Sequence, residues 1–412
     1  MENFDTGIIG AGPAGYTAAF HAAEKGLKVV IFEKECVGGV CLNKGCIPTK
    51  TILHSSELFY DMKNSAELGI FADNVQVDYK KVIEHKNKVV EKLRKGIELG
   101  LKNSKIQVVN AAAEVVDSHT IRANGEIYNC DKIIAAVGAE PKPLKNMDFD
   151  HKFILNSDDI LNIEELPKSI LIIGSGAIGV EWARIFSNFG VEVTVAEFAA
   201  HLLPLADIEV SKRVERIFKT KKIKFYTGTT VEAIKGNEVT LTNGEILTPE
   251  KILLAVGRKP VNTEKVDGVT YLGDVCGSIQ LAHFAIKQAI SAIDGVKFDE
   301  TLVPSVVYGT PEIAWVGKCE QDLQEGAYQK SNLLVSALGK SHCDNCTEGF
   351  IKILSQNGQI IGAHVVSKEA SAIIHQVLIA MQNGITVDKL KEVCFAHPTY
   401  SEGIFESLWR VS

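Results

Sequence analysis

The chain has 412 residues, of which 46% are hydrophobic and 23% charged, as is typical of a globular protein of two to four domains. Its formal net charge of −7 argues against a nucleic-acid-binding surface. No apolar run reaches the length of a membrane span, and the N-terminus lacks the basic and apolar regions of an export signal. We therefore predict a cytoplasmic protein that binds neither membranes nor nucleic acid.

The first elements form a dinucleotide-binding pattern. Gly10, Gly12 and Gly15 follow an apolar strand-like run and open an Ala-rich helix-like run, and Glu33 ends the next β-like run. The first glycine permits a tight turn, the second lets the backbone approach a pyrophosphate, and the third lets helix and strand pack closely. The acid at the end of the second strand accepts hydrogen bonds from ribose hydroxyls.

Two cysteines follow this pattern directly. Cys41 and Cys46 lie in the run 40–50, and two thiols beside a nucleotide site indicate a redox-active disulfide. Without an export signal, nine cysteines point to a reducing compartment, where a disulfide is usually catalytic or transient. A metal site is not expected, because Cys343 and Cys346 have no second pair to complete four ligands. The cysteines that we expect to be small buried hydrophobic residues are Cys36, Cys130, Cys276, Cys319 and Cys394.

The chain then repeats its own pattern. A second glycine motif spans 174–179 and is followed by Glu197, so the interval from first glycine to acid is 23 residues in both copies (33 − 10 and 197 − 174). Asn-Gly hairpin turns at 124–125 and 243–244 lie 119 residues apart, whereas the glycine motifs lie 164 apart. The first copy therefore holds 45 extra residues (164 − 119), which include the cysteine pair and a helix predicted over 79–101.

Beyond the second copy, the pattern predicts a strand over 269–274 and a helix over 282–293. From about residue 299 it changes to strands over 305–308, 351–354 and 360–366 and helices over 369–383 and 387–393, which is typical of an α+β domain. We therefore expect an α/β protein with two Rossmann-like dinucleotide-binding domains and a C-terminal α+β domain. The expected bounds are 1–143 with 265–298 for the first domain, 144–264 for the second and 299–412 for the third.

These motifs resemble those of the flavin-dependent disulfide reductases, and among them most closely the dihydrolipoamide dehydrogenase branch. The resemblance covers almost the whole chain. Its most specific parts are the cysteine motif Cys41–Lys50 and the terminal motif His397–Glu402, and the other matching segments are the two glycine loops, 256–260, 272–275 and 281–283.

The resemblance implies FAD on the first domain, NAD on the second and dimerisation through the third. The residues implied for FAD are Gly10, Gly12, Pro13, Ala14, Gly15, Glu33, Lys34, Gly39, Val40, Lys50, Ala111, Gly138, Asp274, Leu281, Ala282 and His283. The residues implied for NAD are Gly174, Gly176, Ala177, Ile178, Gly179, Glu197, Val231 and Gly257. Glu197 also favours NAD over NADP, because a carboxylate repels a 2′-phosphate and no Arg follows it in 198–201.

The resemblance also implies the catalytic roles. Cys41 would exchange with a dihydrolipoyl thiol and Cys46 would face the flavin, while His397, oriented by Glu402, would act as base at the cysteine pair of the partner subunit in a homodimer. A cis peptide bond is implied between residues 397 and 398. A pair formed by Lys50 and Glu181 would lie near the flavin and the nicotinamide; the alternative is that Lys50 is a surface lysine. The implied partner is a lipoylated carrier protein of a 2-oxoacid dehydrogenase complex or of a glycine cleavage system.

The chain departs from the family at several points. Val40 stands where relatives usually have Thr, Ala372 stands where Glu is usual in an interface helix, and the segments 261–272 and 319–346 are shortened. Another reductase of the family remains an alternative, although glutathione reductase would favour NADP and mercuric reductase would carry a C-terminal cysteine pair. A further alternative is a non-catalytic flavoprotein that serves as the scaffold subunit of a complex.

Overall fold

The computed structural model describes residues 3–145 and 147–409, so the outermost residues of the predicted first and third domains and Asn146 lie outside the described residues. The described chain forms a mixed α/β structure with two largely parallel sheets and a C-terminal antiparallel sheet, which confirms the predicted fold class. Among these residues, no helix combines the length and the apolar character that crossing a membrane requires.

The first sheet carries the first glycine loop. Its strand order is β3-β2-β1-β6-β5-β4, with β1 parallel to both β2 and β6. Asn124 and Gly125 both have positive φ, as a two-residue hairpin turn between β5 and β6 requires. The elements are β1 (Asn3–Ile9), α1 (Pro13–Glu24), β2 (Val29–Glu33), α2 (Gly39–Lys44), α3 (Cys46–Asn64), α4 (Tyr79–Asn103), β3 (Gln107–Asn110), β4 (Ala113–Asp117), β5 (Thr120–Ala123), β6 (Glu126–Ala135) and β7 (Ala139–Pro141).

The second sheet is a parallel sheet of order β11-β10-β9-β15-β8 and carries the second glycine loop. The chain then returns to the first region, because β16 pairs with β7 and β17 pairs with β6. The elements are β8 (Ile154–Leu155), β9 (Ser169–Ile173), α5 (Ala177–Asn188), β10 (Glu192–Ala196), α6 (Ile208–Thr220), β11 (Lys224–Tyr226), β12 (Val231–Lys235), β13 (Glu238–Leu241), β14 (Ile246–Leu247), β15 (Lys251–Leu254), β16 (Arg258–Pro260), β17 (Thr270–Tyr271) and α7 (Ala282–Asp294).

The C-terminal sheet is antiparallel, with the order β18-β19-β22-β21-β20. The pattern did not predict β19, β20 or α11. β20 alternates exposed and buried positions, but its first four residues, Gln-Lys-Ser-Asn, are all polar. The sequence therefore shows no alternation of apolar and polar residues from which the strand could be predicted. The elements are β18 (Ser305–Val307), β19 (Glu312–Gly317), β20 (Gln329–Leu334), α8 (Gly339–Cys343), β21 (Phe350–Gln356), β22 (Gln359–Ser367), α9 (Ala370–Gln382), α10 (Val387–Lys391) and α11 (Glu402–Trp409).

Two expectations about local structure are wrong. The strand predicted over 269–274 ends at Tyr271, and Asp274 instead lies in a 3₁₀ turn, Gly273–Cys276, whose first residue has a φ of 75°. Cys36 and Cys394 are exposed and Cys276 is only partly buried, whereas Cys130 and Cys319 are buried as expected. A thiol in a short loop between elements carries no periodic signal from which its burial could be inferred.

One hydrophobic cluster joins two helices of the first region to the second sheet and to the C-terminal sheet. It includes Ile52 of α3, Trp182 of α5 and Val307 of β18, all of which are at most 1% exposed. Helix α5 is the centre of this cluster, because residues 180, 182, 183, 185 and 186 are all buried in it. The three regions are therefore closely docked around α5.

A buried ion cluster also joins the second sheet region to the C-terminal sheet. The ammonium of Lys352 in β21 is fully buried and lies 2.8 Å from Asp207, 2.9 Å from Glu209 and 2.5 Å from Glu320. Burial raises the pKa of Glu320, but hydrogen bonds from Lys352, Lys330 and a tyrosine lower it to about 2. Among the described residues, these three carboxylates are the group that lies close enough together to hold a metal ion. The Lys352 ammonium is in contact with all three of them.

We expect Lys352→Met to destabilise the protein by about 3–5 kcal/mol at pH 7, because it leaves the fully buried Asp207 carboxylate without its ammonium partner. Since Glu320 has a lowered pKa in the folded state, its contribution is present above its unfolded pKa and is lost as the pH falls towards 2. The difference in melting temperature from the unaltered protein should therefore narrow between pH 7 and pH 3. Lys330→Met is the control, because this more exposed lysine also binds Glu320 but should matter by less than about 1 kcal/mol. Equal melting of the two variants at pH 7 would contradict the account.

Candidate active site

The two glycine loops have the same backbone geometry. Gly10 and Gly174 have φ values of 94° and 99°, and a Cβ on either would collide with the carbonyl oxygen of the residue directly after β6 or β15, respectively. A Cβ on Gly15 or Gly179 would overlap the first glycine of its own loop. The third glycine of each loop is therefore required for the close packing of helix on strand that the spacing predicts.

Both loops can accommodate a phosphate group. A Cβ on Gly12 would have its nearest neighbour at 3.7 Å, and a Cβ on Gly176 would meet nothing within 4 Å. Helices α1 and α5 begin directly after these glycines, with Pro13 and Ala177, and neither N-terminus has a side-chain cap. The first amide groups of each helix thus remain available for an anion, which fits the pyrophosphate of a dinucleotide.

The two acids occupy equivalent places. Glu33 accepts hydrogen bonds from the backbone amides of residues 11 and 35, both at 2.8 Å. Glu197 accepts from the amide and hydroxyl of Ser175 at 2.6 and 2.7 Å, and from the amide of residue 199 at 2.7 Å. Both carboxylates are nine-tenths or more buried, and a carboxylate has about four lone-pair sites, so each can still accept a ribose hydroxyl.

The other residues predicted for FAD lie around the first loop. A Cβ on Gly39 would collide with the backbone of Gly12, so this residue lies against the loop, and Val40 directly follows it. A Cβ on Gly273 would lie 3.5 Å from that of Ala14, which brings the 3₁₀ turn of Asp274 and the adjoining start of α7 (281–283) to the same helix N-terminus. Ala111 follows β3, and Gly138 follows β6 with a φ of 77°. Burial raises the pKa of Asp274, which Arg258 partly counteracts. Lys34 is exposed.

Two residues predicted for NAD lie outside the second loop itself. Val231 begins β12 in a separate antiparallel sheet, two residues after Thr229, whose amide donates to the Glu197 carbonyl at 2.8 Å. Gly257 follows β15 with a φ of 96°. Val231 therefore lies near Glu197 in the chain's hydrogen bonding, and Gly257 lies at the carboxyl end of β15, the sheet edge that also carries the glycine loop.

Cys41 and Cys46 lie on two consecutive helices. Cys41 is in the short α2, Cys46 is the first residue of α3, and a hydrogen bond joins the two half-buried thiols. This bond is the main cause that lowers the pKa of Cys46, and with further help from Lys50 the value falls to about 7 although burial opposes it. The same bond, together with burial, raises the pKa of Cys41. Cys46 is therefore the thiol that ionises first, as its position at a helix N-terminus also favours.

Lys50 lies one turn after Cys46 in α3 and binds the carboxylate of Glu181 in α5. The ammonium is 2.8 and 2.7 Å from the two carboxylate oxygens. Glu181 is 3% exposed and also accepts a hydrogen bond at 3.1 Å from the backbone amide of Tyr308, whose ring faces the ammonium at 4.7 Å. The structure therefore brings the predicted pair together, and it does not support the alternative of an unpaired surface lysine.

His397 and Glu402 form a second pair at the C-terminus. The Nδ1 atom of His397 lies 3.0 Å from Glu402 Oε1, while Oε2 accepts from the Thr399 amide at 2.8 Å. The bond between residues 397 and 398 is cis. The His397 side chain is 76% exposed and that of Glu402 is 12% exposed, so the acid is fixed and the imidazole presents its Nε2 side at the surface of the subunit.

The sequence patterns do not predict Tyr308 or Arg184 at this site. Tyr308 was included only as the end of a strand, and nothing in the pattern connects it with Lys50. Arg184 gave a weak signal, because it is a charged residue within the apolar helix α5, where it is 1% exposed.

Comparison with known proteins agrees with this geometry. Residues 4–271 match the family model of the pyridine nucleotide-disulphide oxidoreductases, and residues 303–408 match the dimerisation domain of that family. The dihydrolipoyl dehydrogenases of Mycoplasma pneumoniae and Geobacillus stearothermophilus are 33% and 35% identical to the chain; both alignments cover 98% of it, and 97% and 95% of the relatives.

Solved structures give the same result. The crystal structure of LpdA from Mycobacterium tuberculosis aligns with a TM-score of 0.90 at 25% identity, over 98% of this chain and 99% of that one. The HOCl-induced flavoprotein disulfide reductase RclA from Escherichia coli aligns with a TM-score of 0.87 at 27% identity, over 98% and 99% of the two chains. The likeness therefore extends over the whole arrangement of the three sheets.

The cofactors of this family are FAD and NAD(H), which confirms the predicted pair of cofactors, and the C-terminal match supports the predicted homodimer. The two family models match in sequence order along one chain, and the relatives match over nearly its full length. The protein therefore belongs to the pyridine nucleotide-disulphide oxidoreductases.

Proposed function

We propose that the protein is a dihydrolipoamide dehydrogenase, which oxidises protein-bound dihydrolipoamide to lipoamide with NAD⁺ as the final acceptor. The observation that carries this proposal is the pairing of Cys41 with an easily ionised Cys46 beside the Lys50–Glu181 pair, in a chain whose full-length relatives are dihydrolipoyl dehydrogenases. A dithiol substrate matches a redox-active disulfide, because the overall exchange converts two thiols into one disulfide.

The proposed domain organisation follows the sheets. Residues 1–143 and 265–298 would hold FAD, 144–264 would hold NAD, and 299–412 would form the dimer interface. The pairing of β17 with β6 supports the discontinuous first domain, because residues after the second sheet rejoin the first. We also propose a cytoplasmic location, since a chain with nine cysteines and one catalytic disulfide fits a reducing compartment.

In the proposed mechanism, the oxidised enzyme begins with a Cys41–Cys46 disulfide. His397 removes a proton from one dihydrolipoyl thiol, and the resulting thiolate attacks Cys41, which forms a mixed disulfide and releases Cys46 as a thiolate. The second substrate thiol then displaces Cys41, so lipoamide leaves with a new disulfide and the enzyme keeps two reduced sulfurs. Glu402 orients the imidazole and stabilises its charged form.

The remaining residues hold and orient the cofactors. FAD held at the first glycine loop would supply the two-electron chemistry that connects the reduced sulfurs with NAD⁺ at the second loop. Lys50 stabilises the Cys46 thiolate, and Glu181 holds Lys50 in place. Glu197 selects NAD⁺, because its carboxylate accepts ribose hydroxyls and repels a 2′-phosphate.

We propose that the active site is shared between subunits. The exposed imidazole of His397 and its buried orienting acid fit a base that acts on a neighbouring molecule, and the C-terminal region matches a dimerisation domain. Each cysteine pair would then work with His397 of the partner subunit. The partner protein would be a lipoylated carrier of a 2-oxoacid dehydrogenase complex or of a glycine cleavage system.

Turnover by the purified protein tests the proposal. We expect NADH to form when dihydrolipoamide and NAD⁺ are supplied, with little activity when NADP⁺ replaces NAD⁺. Glutathione and mercuric ion in the NADPH-dependent direction serve as control substrates for the other reductases of the family. If the protein binds FAD but shows no lipoamide-linked turnover with either nicotinamide, it is a scaffold flavoprotein. If lipoamide-linked turnover is found, a pull-down with lipoylated carriers of a 2-oxoacid dehydrogenase complex and of a glycine cleavage system would identify the partner.

A further inference from the structure

The segment 308–311 (Tyr-Gly-Thr-Pro) of the C-terminal region connects two helices that carry the proposed redox residues. It links β18 to β19 and lies beside α3, which begins with Cys46, and α5, which contains Glu181. Three hydrogen bonds hold it: from the Tyr308 amide to Glu181 at 3.1 Å, from the Thr310 hydroxyl to Glu57 at 2.7 Å, and from Arg184 Nη1 to the Pro311 carbonyl at 2.7 Å. The segment is thus attached to both helices.

Arg184 and Gly309 fit closely together. Gly309 has a φ of 138°, and a Cβ placed on it would lie 2.8 Å from Arg184 Cδ and closer still to Nη1. The guanidinium therefore occupies the space over the glycine and holds the carbonyl two residues later. Arg184 lies three residues after Glu181 in α5, so both side chains leave the same face of the helix.

Stability alone does not explain why an arginine occupies position 184. It is 1% exposed, and its Nε and Nη2 atoms have no hydrogen-bond partner among the described residues. Burial lowers its pKa to about 10. A buried guanidinium with unpaired N–H groups costs free energy, and an apolar residue of similar volume would often be at least as stable. The presence of this charge therefore calls for another role.

We propose that Arg184 is a positioning residue, which holds the 308–311 segment against the Lys50–Glu181 pair and thereby keeps Lys50 directed at Cys46. The inference rests on the proposed function for its consequence, since a thiolate at Cys46 is what that chemistry needs. Arg184 of α5 and a loop from the C-terminal region would thus help to control the ionisation of the thiol pair.

The charges around Cys46 give the direction of the effect. The titratable groups that face it are Tyr16 of α1, Cys41 of α2, Lys50 of α3, Glu181 of α5 and Tyr308 of the segment. Lys50 favours the thiolate, and Glu181 disfavours it. The Tyr308 amide partly neutralises Glu181, and its ring supports the ammonium. Release of the segment would remove the Tyr308 amide from Glu181, so the negative charge of Glu181 would be less compensated and would draw Lys50 towards it. The pKa of Cys46 should therefore rise.

Arg184→Met tests this inference, because methionine fills similar space without N–H groups. The rate at which iodoacetamide alkylates Cys46 is measured against pH in purified, full-length, FAD-bound protein that also carries Cys41→Ser, so that Cys46 cannot form its disulfide. Trypsin cleaves after Lys44 and Lys50, so mass spectrometry follows Cys46 in its own peptide. The exposed Cys36 is an internal reference, and Arg216→Met, on the surface of α6, is the matched control.

We expect Arg184→Met to raise the pKa of Cys46 by about one unit, which lowers the alkylation rate at pH 7 by about fivefold. The Cys46 profile is the deciding measurement, because a purely structural role for Arg184 would lower the melting temperature without moving the pKa of Cys46. Arg184→Lys, which keeps one donor for the Pro311 carbonyl, should restore most of the rate. An unchanged Cys46 profile in Arg184→Met would overturn the proposal. Because alkylation needs no lipoyl substrate, this result is separate from any failure of the turnover assay.

Discussion

Cys46→Ser reduces dihydrolipoamide-linked NADH formation to the background of the assay while FAD remains bound. The serine cannot form the disulfide with Cys41, so no sulfur pair exists to take electrons from the substrate. The rest of the site should be unaffected, because Cys46 is half-buried and serine is close to it in size. The measurement combines NADH absorbance with the flavin absorbance of the purified variant.

A matched control for this result is Cys276→Ser. That thiol is also partly buried, but it donates to the Tyr271 carbonyl and is not paired with another thiol, so turnover by this variant should resemble that of the unaltered protein. If Cys46→Ser retains a substantial part of the turnover with bound FAD, electrons must reach the flavin without the disulfide, and the proposed mechanism is wrong.

His397→Gln slows turnover by about 10²–10⁴-fold, the usual range for the loss of a general base. Glutamine preserves polarity and approximate size but cannot take the proton of a dihydrolipoyl thiol at neutral pH. FAD binding should be intact, because the His397 side chain is 76% exposed and contacts Glu402 rather than either glycine loop. Since thiolate formation is then left to solvent, the residual rate should rise steeply with pH up to the pKa of the substrate thiol. Unchanged lipoamide kinetics would remove His397 from this role.

Mixing the two inactive variants tests whether the site is shared. A heterodimer of one Cys46→Ser subunit and one His397→Gln subunit contains one complete site only if the base comes from the partner. Random reassociation of equal amounts would then restore about a quarter of the original turnover, because half of the dimers have one working site of two. If the base acted within its own subunit, every site would lack one component and no activity would return.

Local spacing predicted the parts of the site that a short segment encodes. The glycine loops and their acids follow from a strand, a turn and a helix in immediate succession, and the structure reproduces them in both copies. The hairpins also depend on two neighbouring residues, and Asn124 and Gly125 have the backbone angles that such a turn requires.

The rest depends on contacts between distant parts of the chain. The Tyr308 amide reaches Glu181 across 127 residues, and Arg184 reaches the Pro311 carbonyl across the same interval. Neither contact leaves a periodic pattern, because a backbone donor is the same in every residue and a charged residue in an apolar helix does not reveal which distant carbonyl it binds. The exposure of Cys36 was mispredicted for a similar reason, since a loop thiol can point either way.

The most direct test of the central claim is an anaerobic titration of the FAD-bound protein with dihydrolipoamide, followed by flavin absorbance. We expect one equivalent of substrate to produce a long-wavelength band, from the Cys46 thiolate beside oxidised flavin, and added NAD⁺ to abolish the band as NADH forms. The band should be absent from Cys46→Ser. A flavin spectrum that does not change with dihydrolipoamide, or that bleaches without this band, would contradict the claim that Cys41 and Cys46 carry the electrons from a dihydrolipoyl group to the flavin.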